Sequence, residues 1–330
     1  MPGATTSSDL VKVVDDAIHV VPGGLAAHAS RLMDGLRLPM DGPLPRACLS
    51  VADATDRWGG HPYHSAGHHA EVAAVTAWMI RSLPGGMDAR HLTLLLCAAL
   101  GHDLGFDPSL PRTPYALERF SASLVARHMR DQGCADGDCD LVMGLVVATE
   151  PTARKVMAGS MDGCDPWLLP LVRDPFLHGL ATLLSDADLV PSTAVSLDHT
   201  LLQCGRLARE QGRPVTPGGF LAFVDDVVGN GFLSVPGRRL DPVMRLIRAR
   251  VLAYPPGLAL DRVGDGLEGA LEVVAQGPGD GDDHDRDRGS DQAVLDRGRR
   301  DLVPHDVVDD PVHAEFLPGL LPPRVPPGSS

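Results

Sequence analysis

The chain has 330 residues, 44% of them hydrophobic and 4% aromatic, with a formal charge of −14. Its length suffices for one large domain or two small ones, built on a core of Leu, Val and Ala, and its charge excludes broad nucleic-acid binding through a basic surface. The longest apolar run, Leu92 to Leu100 with Thr93 inside it, is far short of the roughly 20 residues a membrane span needs. No basic-then-apolar leader opens the chain, and the six cysteines lie scattered without a CxxC pair. The expectation is a soluble, cytoplasmic protein with no membrane or nucleic-acid partner.

Helical periodicity covers 9–20, 25–36 and 46–58, with Pro and Gly between the patterns. These patterns predict an N-terminal helical layer over residues 1–60. The next helix is expected from Tyr63 or His64 to about Leu83, ahead of Pro84-Gly85-Gly86. His68, Val72, Val75 and Met79 recur at i, i+4, i+7 and i+11, which places His68 on the buried stripe and His64 one turn before it. Asp88 caps a helix whose run Leu92–Leu100 is apolar nearly all round, the pattern of a central helix. His102-Asp103 close it, and Gly105 suits a C-terminal cap.

Helices follow at 115–132 and 139–149, then a looser Gly-, Asp- and Pro-rich region to about 170. Asp174-Pro175 opens a helix expected to run to Leu189 and stop at Pro191. Ser192 or Thr193 can cap a long helix to Gln211, and 219–228 and 241–252 complete the folded part. Strands have no place in this pattern, so the fold class is all-α. The expected organisation is a core at 61–212, C-terminal helices at 213–276 and a disordered tail at 277–330. Twelve acidic and six basic residues with few large apolar ones make that tail too poor in buriable surface to order.

Chemistry concentrates between His61 and Asp103. A lone histidine on an apolar face is most often a hydrogen-bonded core residue. Here His68, His102 and Asp103 fall together at helix ends or on a buried stripe, and that combination points to a metal. A carboxylate from a distant helix should complete the set, and Leu183-Leu-Ser-Asp-Ala-Asp-Leu offers two. At 100° per residue Asp188 lies on the side of Leu177, Ala181 and Leu184, and Asp186 on the opposite side. Asp188 is therefore expected to point inward and Asp186 towards water.

The order His…His-Asp…Asp on helices resembles the HD superfamily of metal-dependent phosphohydrolases, and within it the catalytic domain of class I cyclic nucleotide phosphodiesterases. The resemblance rests on Tyr63-His64-Ser65-Ala66-Gly67-His68, on Ala98-Ala99-Leu100-Gly101-His102-Asp103, on Leu117-Glu118, on Val147-Ala148-Thr149-Glu150 and on Ala187-Asp188-Leu189, in the family's order. It implies an HD-type helical bundle with helical extensions at both ends. His68, His102, Asp103 and Asp188 would hold a zinc-like ion, and Asp103 would bridge to a second, largely water-coordinated one. Zn, Mn, Mg and Fe are the candidate ions. His64 would be the general acid to the leaving oxygen and Glu118 would orient the attacking water. The implied partner is a small nucleotide-like phosphate ester, and a homo-oligomer is compatible with the family. The chain departs from the pattern at Phe106, where the family has a histidine, at Ser65 in place of Asn, and at Phe120-Ser121 in place of a histidine pair. Three other readings stay open: a nucleotide or alarmone phosphohydrolase, a diiron oxygenase using His128 or His178, and a catalytically degenerate metal-binding module.

Overall fold

Leu- and Ala-rich segments, many with a polar residue at the head, give helices throughout the described residues. The computed structural model describes residues 7–260 apart from 20–22, 59, 84, 111–112, 230 and 257. The described residues contain helices and no strand. In order these are α1 (Ser7–His19), α2 (Gly24–Gly35), α3 (Pro43–Trp58), α4 (Ala66–Arg81), α5 (Ala89–Gly101), α6 (Ala116–Asp131), α7 (Asp136–Val147), α8 (Pro151–Met157), α9 (Leu169–Arg173), α10 (Pro175–Thr193), α11 (Leu197–Gln211), α12 (Pro217–Phe223), α13 (Val235–Arg238) and α14 (Asp241–Leu252). The expected tail at 277–330 lies outside the described residues.

Two helices form the centre. Every residue of α4 from His68 to Ile80 is buried, as is every residue of α5 from Leu92 to Gly101. Such all-round burial is what an apolar helix without a polar face requires. α4 packs against α1, α2, α5 and α10, while α5 meets α3 and α7 as well. Of the three N-terminal helices, α1 and α2 meet α4, and α3 meets α5. Side-chain caps satisfy the first backbone N–H groups: Asp88 accepts from His91 on α5, Asp174 from Phe176 and Leu177 on α10, and Ser196 from His199 on α11.

Several boundaries differ from expectation. α4 begins only at Ala66, because the Ser65 hydroxyl caps it by accepting from the His68 N–H; Tyr63 and His64 therefore precede the helix. α10 runs through Pro191 to Thr193 instead of stopping at Leu189. A proline in the last turn forfeits one intrahelical bond and leaves the rest intact. The start of α11 accordingly shifts to a cap at Ser196. The region read as loose holds α8 and α9, each with proline in its first turn. The cap of α8 is Glu150, a residue less commonly used there.

Asp186 is the main correction. It is fully buried, not turned to water. Arg154 donates to its Oδ1 at 2.6 Å, and the backbone N–H groups of Leu233 and Ser234 donate at 3.0 and 2.6 Å. The apolar stripe marked one buried face, but α10 also packs against α8 and α13 on its other side. A side chain at Gly237 would run into this carboxylate, so the glycine is needed for close approach. A second buried network joins α11 to α4: Glu71 accepts from Gln203 at 2.6 Å and Arg206 at 3.1 Å, with His199 at 3.4 Å.

Removing one partner of a buried pair leaves an uncompensated charge, which costs about 3–5 kcal/mol. Urea titration of Arg154→Met should show a loss of that order, partly restored by adding Asp186→Asn. A loss under about 1 kcal/mol, the scale of exposed pairs, would show that the Arg154–Asp186 pair does not fix the α8–α10–α13 contact.

Candidate metal centre

His102 caps the C-terminal end of α5, where its Nδ1 donates to the Ala99 carbonyl at 2.9 Å. That bond places a proton on Nδ1, so Nε2 is the atom that would meet a metal. His68, in the first turn of α4, brings its own Nε2 to 3.2 Å from it. Asp188 on α10 places Oδ1 3.2 Å from both nitrogens. Asp103, next after His102, puts Oδ2 3.0 Å from His102 Nε2 and 3.8 Å from His68 Nε2. The two histidine side chains are 1% exposed, the two aspartates 18% and 20%. The cluster therefore has a closed imidazole back and an accessible carboxylate front.

Four ligand atoms around a tetrahedral ion at about 2.05 Å lie about 3.3 Å apart. His68, His102 and Asp103 offer three atoms 3.0 to 3.8 Å from one another, near that spacing, and Asp188 Oδ1 joins the two histidines at 3.2 Å. Lone pairs and carboxylates converging on one buried point repel unless a cation lies between them. The donor set thus fits a divalent ion, and nitrogen with oxygen donors suits Zn, Mn or Fe. The pKa values carry the same signature. Burial opposes charge on His102, but Asp103 and Asp188 overcome it and raise its pKa well above the ordinary imidazole range. Burial likewise opposes the two carboxylates, yet the facing histidines hold both well below the usual range.

His64 stands at the front. Its Nε2 lies 3.9 Å from Asp103 Oδ2, and its Nδ1 meets Glu210 Oε1 at 2.5 Å. Glu210 Oε2 also accepts the backbone N–H groups of Tyr63 and His64, both at 3.0 Å. Burial disfavours a charged His64, but Asp103 and Glu210 outweigh it and raise its pKa. Glu210 was missed in the sequence because a glutamate in Arg209-Glu210-Gln211, at a helix end, reads as a solvated charge. No local signal distinguishes it.

Glu118, in the first turn of α6, is partly buried beside the cluster. Burial first, then the carboxylates of Asp103, Glu150 and Asp188, push it up to about 7. Phe106 occupies the position where a histidine was expected from the family pattern, and its ring stacks on His64. His69 is buried behind His102, where burial and its neighbour keep it neutral. The two histidines needed for a diiron site point elsewhere: His128 Nδ1 pairs with the Ser50 hydroxyl at 3.1 Å, and His178 Nε2 donates to the Met157 carbonyl at 3.0 Å.

No protein-family model and no curated protein matches the sequence. Among solved structures, the phosphodiesterase domain of the RhoPDE fusion protein from the choanoflagellate Salpingoeca rosetta aligns at 14% identity over 82% of this chain and 90% of that one, with a TM-score of 0.43. A second structure, of the phosphodiesterase domain of the Salpingoeca rosetta rhodopsin phosphodiesterase, aligns at 14% identity over 82% and 92%, with a TM-score of 0.44. Superpositions at this level carry no weight for function, which rests on the site's own geometry. No helix among the described residues is long and apolar enough to cross a membrane.

Between its ordinary value and about 7, folded Glu118 holds a proton that the unfolded chain releases, so it lowers stability as pH rises through that window. Glu118→Gln in chelator-treated protein should therefore gain stability over wild type on going from pH 5 to pH 8, by up to roughly 3 kcal/mol. Urea titrations of both proteins at the two pH values measure this. A difference that does not change with pH contradicts the raised pKa.

Proposed function

We propose that this chain is a metal-dependent phosphohydrolase whose substrate is a 3′,5′-cyclic nucleotide or a related phosphodiester. One observation supports the reading most. A histidine clamped by a carboxylate at Nδ1 presents Nε2 within 3.9 Å of a carboxylate of the metal cluster. Acid and ion site are thus close enough to act on the two ends of one breaking P–O bond.

His68, His102, Asp103 and Asp188 would hold the ion. The chemistry such ions supply is polarisation of phosphoryl oxygens and acidification of water. The protein's own groups do the remainder. Asp103 and Glu210 favour the charged form of His64, which would donate its proton from Nε2 to the leaving oxygen. Glu210 would stabilise the imidazolium through Nδ1–H. Glu118, poised near neutrality, accepts an O–H of the attacking water and orients it. The buried histidines at the back exclude bulk water from the far side of the cluster.

The HD-type sequence pattern supports the same assignment. A nucleotide or alarmone phosphohydrolase is the rival within that pattern, distinguished by monoester rather than diester turnover. The diiron reading lacks its extra histidines, since His128 and His178 are bonded elsewhere. Purified protein with Mn or Mg should hydrolyse cyclic AMP, cyclic GMP or a model diester; inertness towards all three would sink the proposal. His64→Ala should lower kcat about 10²–10⁴-fold, the usual worth of a general acid, with metal content and thermal melt unchanged. Full activity in that variant would remove His64 from the mechanism.

A further inference from the structure

After Asp103 the chain turns sharply. Gly105 takes φ 80°, and the Phe106 N–H donates to the Asp103 carbonyl at 3.0 Å. Any side chain at 105 would be strained by that φ and would meet Leu124 Cδ1 at 2.5 Å. The turn brings the Phe106 ring back over the site. It lies against His64 with centroids 3.7 Å apart and planes within 15°. His61 in turn meets Phe106 edge-on at 5.2 Å and 82°, and Tyr63 meets His64 edge-on at 4.9 Å and 80°.

Glu210 alone does not determine how the imidazole is oriented. A carboxylate on Nδ1 fixes the position of one ring atom, but the ring can still pivot about the hydrogen-bond direction, and the imidazole χ2 torsion is intrinsically broad. A parallel aromatic face removes that freedom, because tilting the ring breaks the stack on one edge and clashes on the other. The edge of His61 backs the stack on the far partner. We propose that Phe106 is a positioning residue that fixes the plane of the His64 imidazole, so that this chain sets its proton donor by an aromatic stack where a hydrogen-bonding side chain was expected.

The activity arm of the test rests on the phosphodiesterase reading; the spectroscopic arm does not. Two variants are compared with wild type: Phe106→Leu, which removes the flat face at similar bulk, and Phe106→Tyr, which keeps it. A positioned acid matters for a basic alkoxide leaving group and little for p-nitrophenolate. Phe106→Leu should therefore lose about tenfold or more in kcat on a cyclic or alkyl diester, the scale expected of a misplaced catalytic group. On bis-p-nitrophenyl phosphate its loss should be several-fold smaller, and Phe106→Tyr should restore the alkyl activity. Equal losses on both substrates, or a loss confined to KM, would overturn the proposal by placing Phe106 in the metal site's support or against the substrate. No loss on either would overturn it outright.

In the second arm, ring-labelled histidine is followed by NMR. His64 ring protons should resonate upfield in wild type and Phe106→Tyr, and should relax towards ordinary positions and broaden by exchange in Phe106→Leu. Sharp signals in Phe106→Leu, with the ring's couplings and contacts to Glu210 and Tyr63 unchanged, would show a plane fixed without Phe106. Should wild type hydrolyse neither substrate, the phosphodiesterase reading fails and this second arm alone decides the role of Phe106.

Discussion

Two imidazole nitrogens 3.2 Å apart, one ring oriented by a backbone carbonyl, face two carboxylates at one largely buried point. That arrangement is unfavourable unless positive charge sits at the centre. Much of the fold serves to hold it. α4 contributes one histidine, the end of α5 a histidine and an aspartate, and α10 the last aspartate, so the three most buried helices meet where their apolar packing gives way to polar atoms. The facing opposite charges overcome burial and draw the protonation of those groups from ordinary values, and the Asp186–Arg154 and Glu71–Arg206 networks brace the same helices.

The position of His64 depends on a different long-range tie. The segment before α4 has no helical partners for the N–H groups of Tyr63 and His64, and Glu210, on α11, accepts both while holding the His64 ring. The same α11 is fixed to α4 by the buried Glu71 network. Position of His64 relative to the cluster is therefore a property of the α4–α11 contact, with Phe106 stacked on its ring. A change at that interface would be felt at His64 with the metal ligands still in place.

How far the sequence discloses this arrangement depends on the range of each signal. The helices follow from periodicity and caps, which are local, and the apolar runs of α4 and α5 mark the centre. His68 and His102-Asp103 sit on those runs or at their ends, so their convergence could be anticipated. Asp188 was separable from Asp186 by helical angle, but the same angle misjudged Asp186, because a one-stripe picture fails for a helix packed on opposite faces. Glu210 carries no local signature, and its partner lies 146 residues away. Phe106 was legible only as a departure from a pattern. Its stack on His64 depends on the left-handed turn at Gly105 and on the placement of His64 outside the helix, which followed from Ser65 acting as the cap.

The central claim is that the four-residue cluster holds a divalent ion. Metal analysis of protein purified without chelators, and again after incubation with Zn, Mn, Mg or Fe and desalting, tests it directly. The account predicts at least one tightly held ion per chain in the wild type, lost in His102→Ala and in Asp188→Ala while the helical circular dichroism spectrum is retained. A wild-type chain that stays metal-free under every loading condition, or variants that retain the same ion, would contradict it.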